Sequence, residues 1–186
     1  MKTALRLILI CAVYPAWAQS FTEKITKELV FEKKGPANAL MVFNINGNVN
    51  VVGYAGDKIL IEVEKKIYGK TEERLAKGKA EIQLGVLDRA DTLMVYVTGT
   101  CSDFGRQPKK KNWSSKWNGW GYDWNDCGRG RQECEKEYDY KMDFTIKVPA
   151  SVSVLASTIN DGDIDMTNIT NRVVAENING DIRLKN

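Results

Sequence analysis

The sequence predicts a mainly β protein. Its C-terminal part reads as a parallel β-solenoid or β-roll with rungs of about 18–19 residues, joined to one short helix and a long Cys/Trp-rich insertion. Three observations lead there. "TINDGDIDMTNI" at 158–169 is nearly repeated as "ENINGDIRLKN" at 176–186; period-two alternation dominates the rest; and composition changes sharply between 99 and 137. The same strands also fit an antiparallel β-sandwich whose members share an Asn-Gly-Asp turn.

Residues 1–18 have the features of an export signal. Lys2 and Arg6 open it, "LRLILICAV" is the apolar run, and "AWA" precedes Gln19 as a cleavage site. Pro15 and the shortness of the run argue against a transmembrane segment, which needs about 20 apolar residues. Bulky Ile10 before Cys11 argues against a lipoprotein. The mature chain is expected to start at Gln19.

An N-terminal β region follows over 19–98. "FTEKITKELVF" puts Phe21, Ile25, Leu29 and Phe31 on one face. "ALMVFNINGNVNVVGY" is two β-rich runs joined at Asn46-Gly47, a dipeptide suited to positive φ. "KILIEVEKK" alternates Ile59, Ile61 and Val63 with Lys58, Leu60, Glu62 and Glu64. "TEERLAKGKAEI" predicts the helix, with Thr71 as cap and Glu72 and Glu73 in the first turn, although Gly78 is a poor helix former. "IQLGVL" and "DTLMVYVTG" form a hairpin around "DRAD". "YDYKMDFTIKVP" is a long strand ended by Pro149.

From 138 onward lie the repeats. Aligning Ile164 with Ile182 sets Asp163 on Asp181, Asp165 on Arg183 and Met166 on Leu184; before the glycine, Val154 meets Val173 and Ile159 meets Ile178. Asp161 is one extra turn residue in the first copy. "NINGNVNV" is a third copy, 115 residues earlier by its glycine. Stacked Asp163 and Asp181 would repel unless hydrated or bridged by a cation. Asn186 closes the last rung without the apolar residue that Ile169 supplies to the first, so a longer chain and an exposed C-terminal β edge are expected.

The insertion at 99–137 holds Trp113, Trp117, Trp120, Tyr122 and Trp124, spaced by small and polar residues. Such rings suit stacking on a glycan, with Asn118, Asp123 and Asn125 bonding hydroxyls, or anchoring on a cell-surface protein. They equally suit a miniature core of their own or a cover over the flank of the β body. Cys101, Cys127 and Cys134 also lie here. In an oxidising compartment a Cys101–Cys134 bridge would close the base of the loop, with Cys127–Cys134 as the alternative, and either leaves one thiol over.

Taking Lys2 and Arg6 from the 27 basic residues leaves 25 against 24 acidic, a net charge of about +1. So balanced a surface argues against nucleic acid as a partner. The chain has no histidine, which removes the commonest general base and a favoured metal ligand. No nucleophile elbow, phosphate loop or dinucleotide fingerprint occurs. Asp161, Asp163 and Asp165 lack the loop of a calcium site. No catalytic residue, metal or cofactor is expected.

The segments "NINGNVNVVGYAGDKILIEVEKK" at 44–66, "TEERLAKGKAEIQL" at 71–84, "DTLMVYV" at 91–97 and "YDYKMDFTIKVPASVSVLASTINDGDIDM" at 138–166 resemble a bacterial putative adhesin family, related to auto-transporter adhesin heads. That resemblance implies an elongated right-handed β-solenoid or roll in the periplasm, at the outer-membrane surface or outside the cell. It carries no catalytic residues. The functional expectation is a non-catalytic, adhesin-like scaffold presenting the aromatic loop to a glycan or protein. A structural or assembly protein of the envelope, self-associating through the C-terminal edge, is the alternative. A polysaccharide-acting enzyme comes third.

Overall fold

Period-two alternation along the chain becomes two sheets laid face to face. The computed structural model describes residues 19–100, 103–106, 119–123 and 137–186. The export signal and Cys101, Cys127, Cys134, Trp113, Trp117 and Trp124 lie outside the described residues. In chain order the elements are β1 (Gln19–Leu29), β2 (Ala39–Phe43), β3 (Val49–Tyr54), β4 (Ile59–Gly69), α1 (Glu72–Glu81), β5 (Gln83–Asp88), β6 (Thr92–Thr98), β7 (Asp103–Arg106), β8 (Trp120–Asp123), β9 (Tyr138–Pro149), β10 (Ser153–Thr158), β11 (Ile164–Thr167), β12 (Val173–Asn177) and β13 (Ile182–Lys185).

One sheet has the order β1-β4-β9-β3-β11-β13, the other β12-β10-β2-β6-β5. Strands β9, β3, β11 and β13 run parallel to one another, as do β12, β10, β2 and β6. Antiparallel pairs β1–β4, β4–β9 and β5–β6 complete the sheets. Between the sheets, Val49, Val51, Ile61, Val63, Phe144, Ile146 and Ile164 meet Leu40, Val42, Leu93, Val95 and Val154, all buried.

This architecture overturns the predicted β-solenoid. Mixed parallel and antiparallel strands make a two-sheet sandwich, and successive turns of chain do not stack in order along one axis. The early copy shows why. Although Gly47 precedes Gly162 by 115 residues, β3 pairs directly with β11 and β2 directly with β10. The Asn46-Gly47 turn therefore crosses from one sheet to the other. The sandwich alternative has the right layers but the wrong strand sense around the glycine corners, where pairing is parallel.

Within each sheet the repeat equivalences hold as neighbouring pairs. Val154 faces Val173, Ile164 faces Ile182, Asp165 faces Arg183 and Met166 faces Leu184. These pairs join two corner units, β10–β11 and β12–β13, and β2–β3 is a third, paired to the first of them. Each crosses between the sheets at its glycine.

Helix α1 lies against the inner faces of β1, β4 and β9. Thr71 caps it, its side-chain oxygen accepting the Arg74 N–H at 3.3 Å. Lys65 points inward from β4 and is fully buried. Its ammonium donates to the Lys79 carbonyl in the last turn of α1 at 3.1 Å and pairs with Glu23 of β1 at 3.1 Å. A cation at a helix C-terminus is favourably placed, and here it ties helix to sheet. Gly78 explains itself through packing: a Cβ there would lie 2.6 Å from Ile67 Cγ2 and 2.8 Å from the Tyr138 ring. The residue that weakens the helix in isolation lets it seat.

Gly78→Ala therefore reverses the ordinary propensity effect. In a free helix alanine is worth up to about 1 kcal/mol over glycine. Here overpacking is expected to lower stability by roughly 1–3 kcal/mol in urea unfolding. Stabilisation would contradict the close seat of α1.

Candidate functional site

Two regions of the molecule bear on function: an aromatic hairpin over one sheet, and the end of the sandwich at β12 and β13. The hairpin comes from the insertion. Strands β7 and β8 pair antiparallel and lie over the outer face of the β12-β10-β2-β6-β5 sheet. Beneath them, Met41, Phe43, Met94 and Leu155 form a second, smaller apolar cluster. Phe104 stacks on Tyr96 with ring centres 4.1 Å apart and on Trp120 at 5.9 Å; the Arg89 guanidinium sits 4.9 Å from the Trp120 ring centre.

Tyr122 is the bolt of this cover. Its hydroxyl accepts the Val97 N–H at 2.9 Å and shares its proton between the carbonyls of Phe43 and Val97, both at 3.1 Å. Burial pushes the phenol well above its usual titration range. Of the five aromatics singled out in the sequence, the structure thus brings Trp120 and Tyr122 together against the sheet. Trp113, Trp117 and Trp124 lie outside the described residues.

At the other region, the corners carry a repeated hydrogen-bond device. Asn48 N–H donates to Asp143 Oδ1, while Phe144 N–H donates to the Asn48 carbonyl, at 2.9 and 2.8 Å. One unit further, Asp163 N–H donates to Asn48 Oδ1 and Val49 N–H to the Asp163 carbonyl, both at 2.9 Å. Then Asp181 N–H donates to Asp163 Oδ1 and Ile164 N–H to the Asp181 carbonyl, again both at 2.9 Å. Each Asn or Asp side chain, with the amide of the residue after it, clamps the backbone of the next Asn or Asp.

Glycine makes the clamp possible. A Cβ on Gly162 would lie 1.8 Å from the Gly47 carbonyl oxygen, and one on Gly180 would lie 2.1 Å from that of Gly162. Gly47 and Gly180 also have φ of +118° and +147°; in the middle unit the extra residue, Asp161, takes the left-handed turn at φ +48°. Asn44, Thr158 and Asn177 line the inner side of the same corners. Asn44 Nδ2 donates to the Met142 and Gly47 carbonyls, Thr158 Oγ1 to Gly47, and Asn177 Nδ2 to Gly162.

The expected Asp163–Asp181 repulsion is relieved by Arg183. Its guanidinium reaches Asp163 at 2.9 Å, Asp181 at 2.7 Å and Asp165 at 3.6 Å. The Asp181 N–H, with Arg183 beside it, holds the Asp163 carboxyl below the usual carboxylate range. Sequence pairing identified Asp165 with Arg183. It missed the backbone clamp, for which the only signal was an Asn or Asp directly after each glycine.

Beyond β13 the sheet edge is unpaired among the described residues. Ile182 is 44% exposed and Leu184 55%, while Ile164 and Met166, their neighbours one strand inward, are 0% and 1%. Ile178 is 73% exposed. Among the described residues no group of three or more acidic or cysteine side chains is arranged to hold a metal, and no helix is long and apolar enough to cross a membrane.

No family model and no curated protein matches this chain. Among solved structures, a putative cell adhesion protein from Clostridium sporogenes ATCC 15579 is 9% identical with a TM-score of 0.38; the alignment covers 84% of this chain and 59% of that one. A putative adhesin from Bacteroides fragilis NCTC 9343 is 15% identical with a TM-score of 0.31, covering 87% of this chain and 53% of that one. The chain spans little more than half the length of either. Similarity this distant carries no function across.

Tyr122→Phe tests the cover. Removing the hydroxyl takes away the acceptor of the part-buried Val97 amide and the donor shared by the Phe43 and Val97 carbonyls, and is expected to cost about 1–3 kcal/mol. Because the folded phenol titrates above its ordinary value of 10.0, the wild type gains its full contribution below pH 10 and loses it as pH rises beyond. Urea unfolding at pH 8 and above pH 10 should show a steeper alkaline decline in the wild type than in Tyr122→Phe. Equal slopes would mean that Tyr122 is not buried as described.

Proposed function

We propose that this protein is an exported, non-catalytic structural or assembly component of the cell envelope, and that its working surface is the β12–β13 end. The observation that carries this reading is the exposure of aliphatic side chains there: Ile178, Ile182 and Leu184 are all in solvent in the last corner unit. Fully burying such a side chain is worth about 1.5–3 kcal/mol, so a strand laid along β13 would gain from both side chains and backbone. The other outer edge of that sheet, β1, carries Lys24, Lys27, Glu23 and Glu28, the usual protection of an edge against pairing; β13 carries Arg183 and Lys185 between its exposed aliphatics.

Export rests on the features of residues 1–18. Recognition of a glycan or protein by Trp113, Trp117, Trp120, Tyr122 and Trp124 is the second reading. Against it stands the use of Trp120 and Tyr122 to cover the sheet, which leaves those two rings less free to meet a ligand.

A photo-crosslinking residue placed at Leu184, and separately at Lys24, tests the assembly reading in the cell that makes the protein. The expected outcome is a discrete polypeptide adduct from position 184 and none from position 24. Adducts at neither position, or equally at both, would refute the β13 edge as the assembly surface.

A further inference from the structure

We propose that two copies of this chain join through β5, antiparallel about a two-fold axis at Val86, so that the β12-β10-β2-β6-β5 sheet of one continues into that of the other. This goes beyond the assembly reading above and does not depend on it, because β5 lies in the middle of the chain and in the other sheet from β13. Strand β5 ends its sheet among the described residues. From Leu84 to Leu87 it carries neither charge nor proline, the two usual guards of an edge. Leu84 and Val86 are half-buried against the main core, and Leu87 against the smaller cluster on the outer face.

The hydrogen bonds to β6 decide which groups of β5 are open. Arg89 and Thr92 exchange both backbone bonds, at 3.0 and 3.2 Å. Bonded pairs alternate along an antiparallel ladder, so Leu87, Gly85 and Gln83 also bond to β6. The N–H and C=O groups of Leu84, Val86 and Asp88 therefore face away from it. Val97, the residue opposite Leu84, accordingly bonds through both its backbone groups to Tyr122 instead.

These open residues complement themselves in one register. A two-fold antiparallel pair must set open residues against open residues. Centred on Val86, it sets Val86 on itself and Leu84 on Asp88 of the second copy, and each such pair can exchange two backbone bonds. Centring on Gly85 would need the Ile82 amide, which the Gly78 carbonyl already holds at 3.0 Å. Centring on Leu87 would need the Ala90 carbonyl, which already accepts the Lys33 N–H at 2.9 Å. Centring on Asp88 would oppose like charges, which is destabilising. On the outer face, the Val86 register sets Leu87 of the second copy beside Gly85, where a Cβ would lie 2.5 Å from the Tyr96 ring, so an aliphatic side chain meets an aromatic one. Next to that pair Arg89 of the second copy comes opposite Gln83, and no like charges meet along the strand.

Sedimentation velocity of the purified protein over a concentration series should show a monomer–dimer equilibrium. Val86→Pro removes an outward N–H without touching a bond to β6, and should weaken the dimer roughly tenfold or more. Gln83→Lys sets like charges opposite Arg89 twice per dimer and should also weaken it; adding Arg89→Glu to that variant should restore it. Circular dichroism checks that each variant is folded, and the charge rescue reads the register even where Val86→Pro fails to fold. A monomer at every concentration overturns the proposal, since an edge covered by the chain itself would give that result. A dimer that survives in folded Val86→Pro, or one that is lost in Leu184→Lys, overturns it too, the latter in favour of contact through β13.

Discussion

Parallel strands have no tight turn of their own to set their register, and in this protein the clamp at the glycine corners sets it. An Asn or Asp side chain and the amide beside it hold the backbone of the next Asn or Asp, three times in succession from Asp143 to Asp181. One slip of register would turn every inward Val and Ile to the outside, so fixing one residue per strand fixes the whole strand. The columns Phe144–Val49–Ile164–Ile182 and Leu93–Leu40–Val154–Val173 follow from it. The same corner carries the chain from one sheet to the other, which lets a short repeat contribute to both faces of one core.

The remaining elements close what the corners leave open. On the β1 side the sheet ends in a long charged strand, with α1 seated over the inner face through Gly78 and the buried Lys65 ammonium. Over the second sheet, the β7–β8 hairpin shields an apolar outer face that would otherwise be wet, with Tyr122 satisfying three backbone groups at once. Among the described residues, three of the exposed large aliphatics, Ile178, Ile182 and Leu184, lie at the β12–β13 end. The assembly surface proposed above lies at that end, in the last of the three corner units.

Much of the local structure was legible in the residues. Alternation gave β4, Thr71 gave the start of α1, and the Ile164–Ile182 and Asp165–Arg183 pairings followed from aligning two copies around a glycine. The global arrangement was not legible. Adjacent copies suggest stacking in chain order, but Val49 pairs with Ile164 across the whole molecule, because an early corner with the right glycine competes on equal terms with a nearby one. Lys65 shows a further limit. Its type predicts solvent, and the helix terminus above it together with Glu23 of β1, both long-range features, makes burial tolerable. For the aromatic insertion the residues left two fates open; the placement of Trp120 and Tyr122 depends on an exposed apolar sheet face that no local pattern announces.

The account's central claim is that the corner clamps hold the parallel strands in register. Native-state hydrogen exchange, followed by NMR at the amides of Asn48, Asp163 and Asp181, measures this directly. Asn48 and Asp163, clamped with strands on both sides, should exchange only through global unfolding, and Asp181, at the open end, through a smaller local opening. Replacing Asn48 by alanine should release the Asp163 amide while leaving those of β4 protected. An Asp163 amide that exchanges at the rate of an unstructured chain in the wild type would contradict the account.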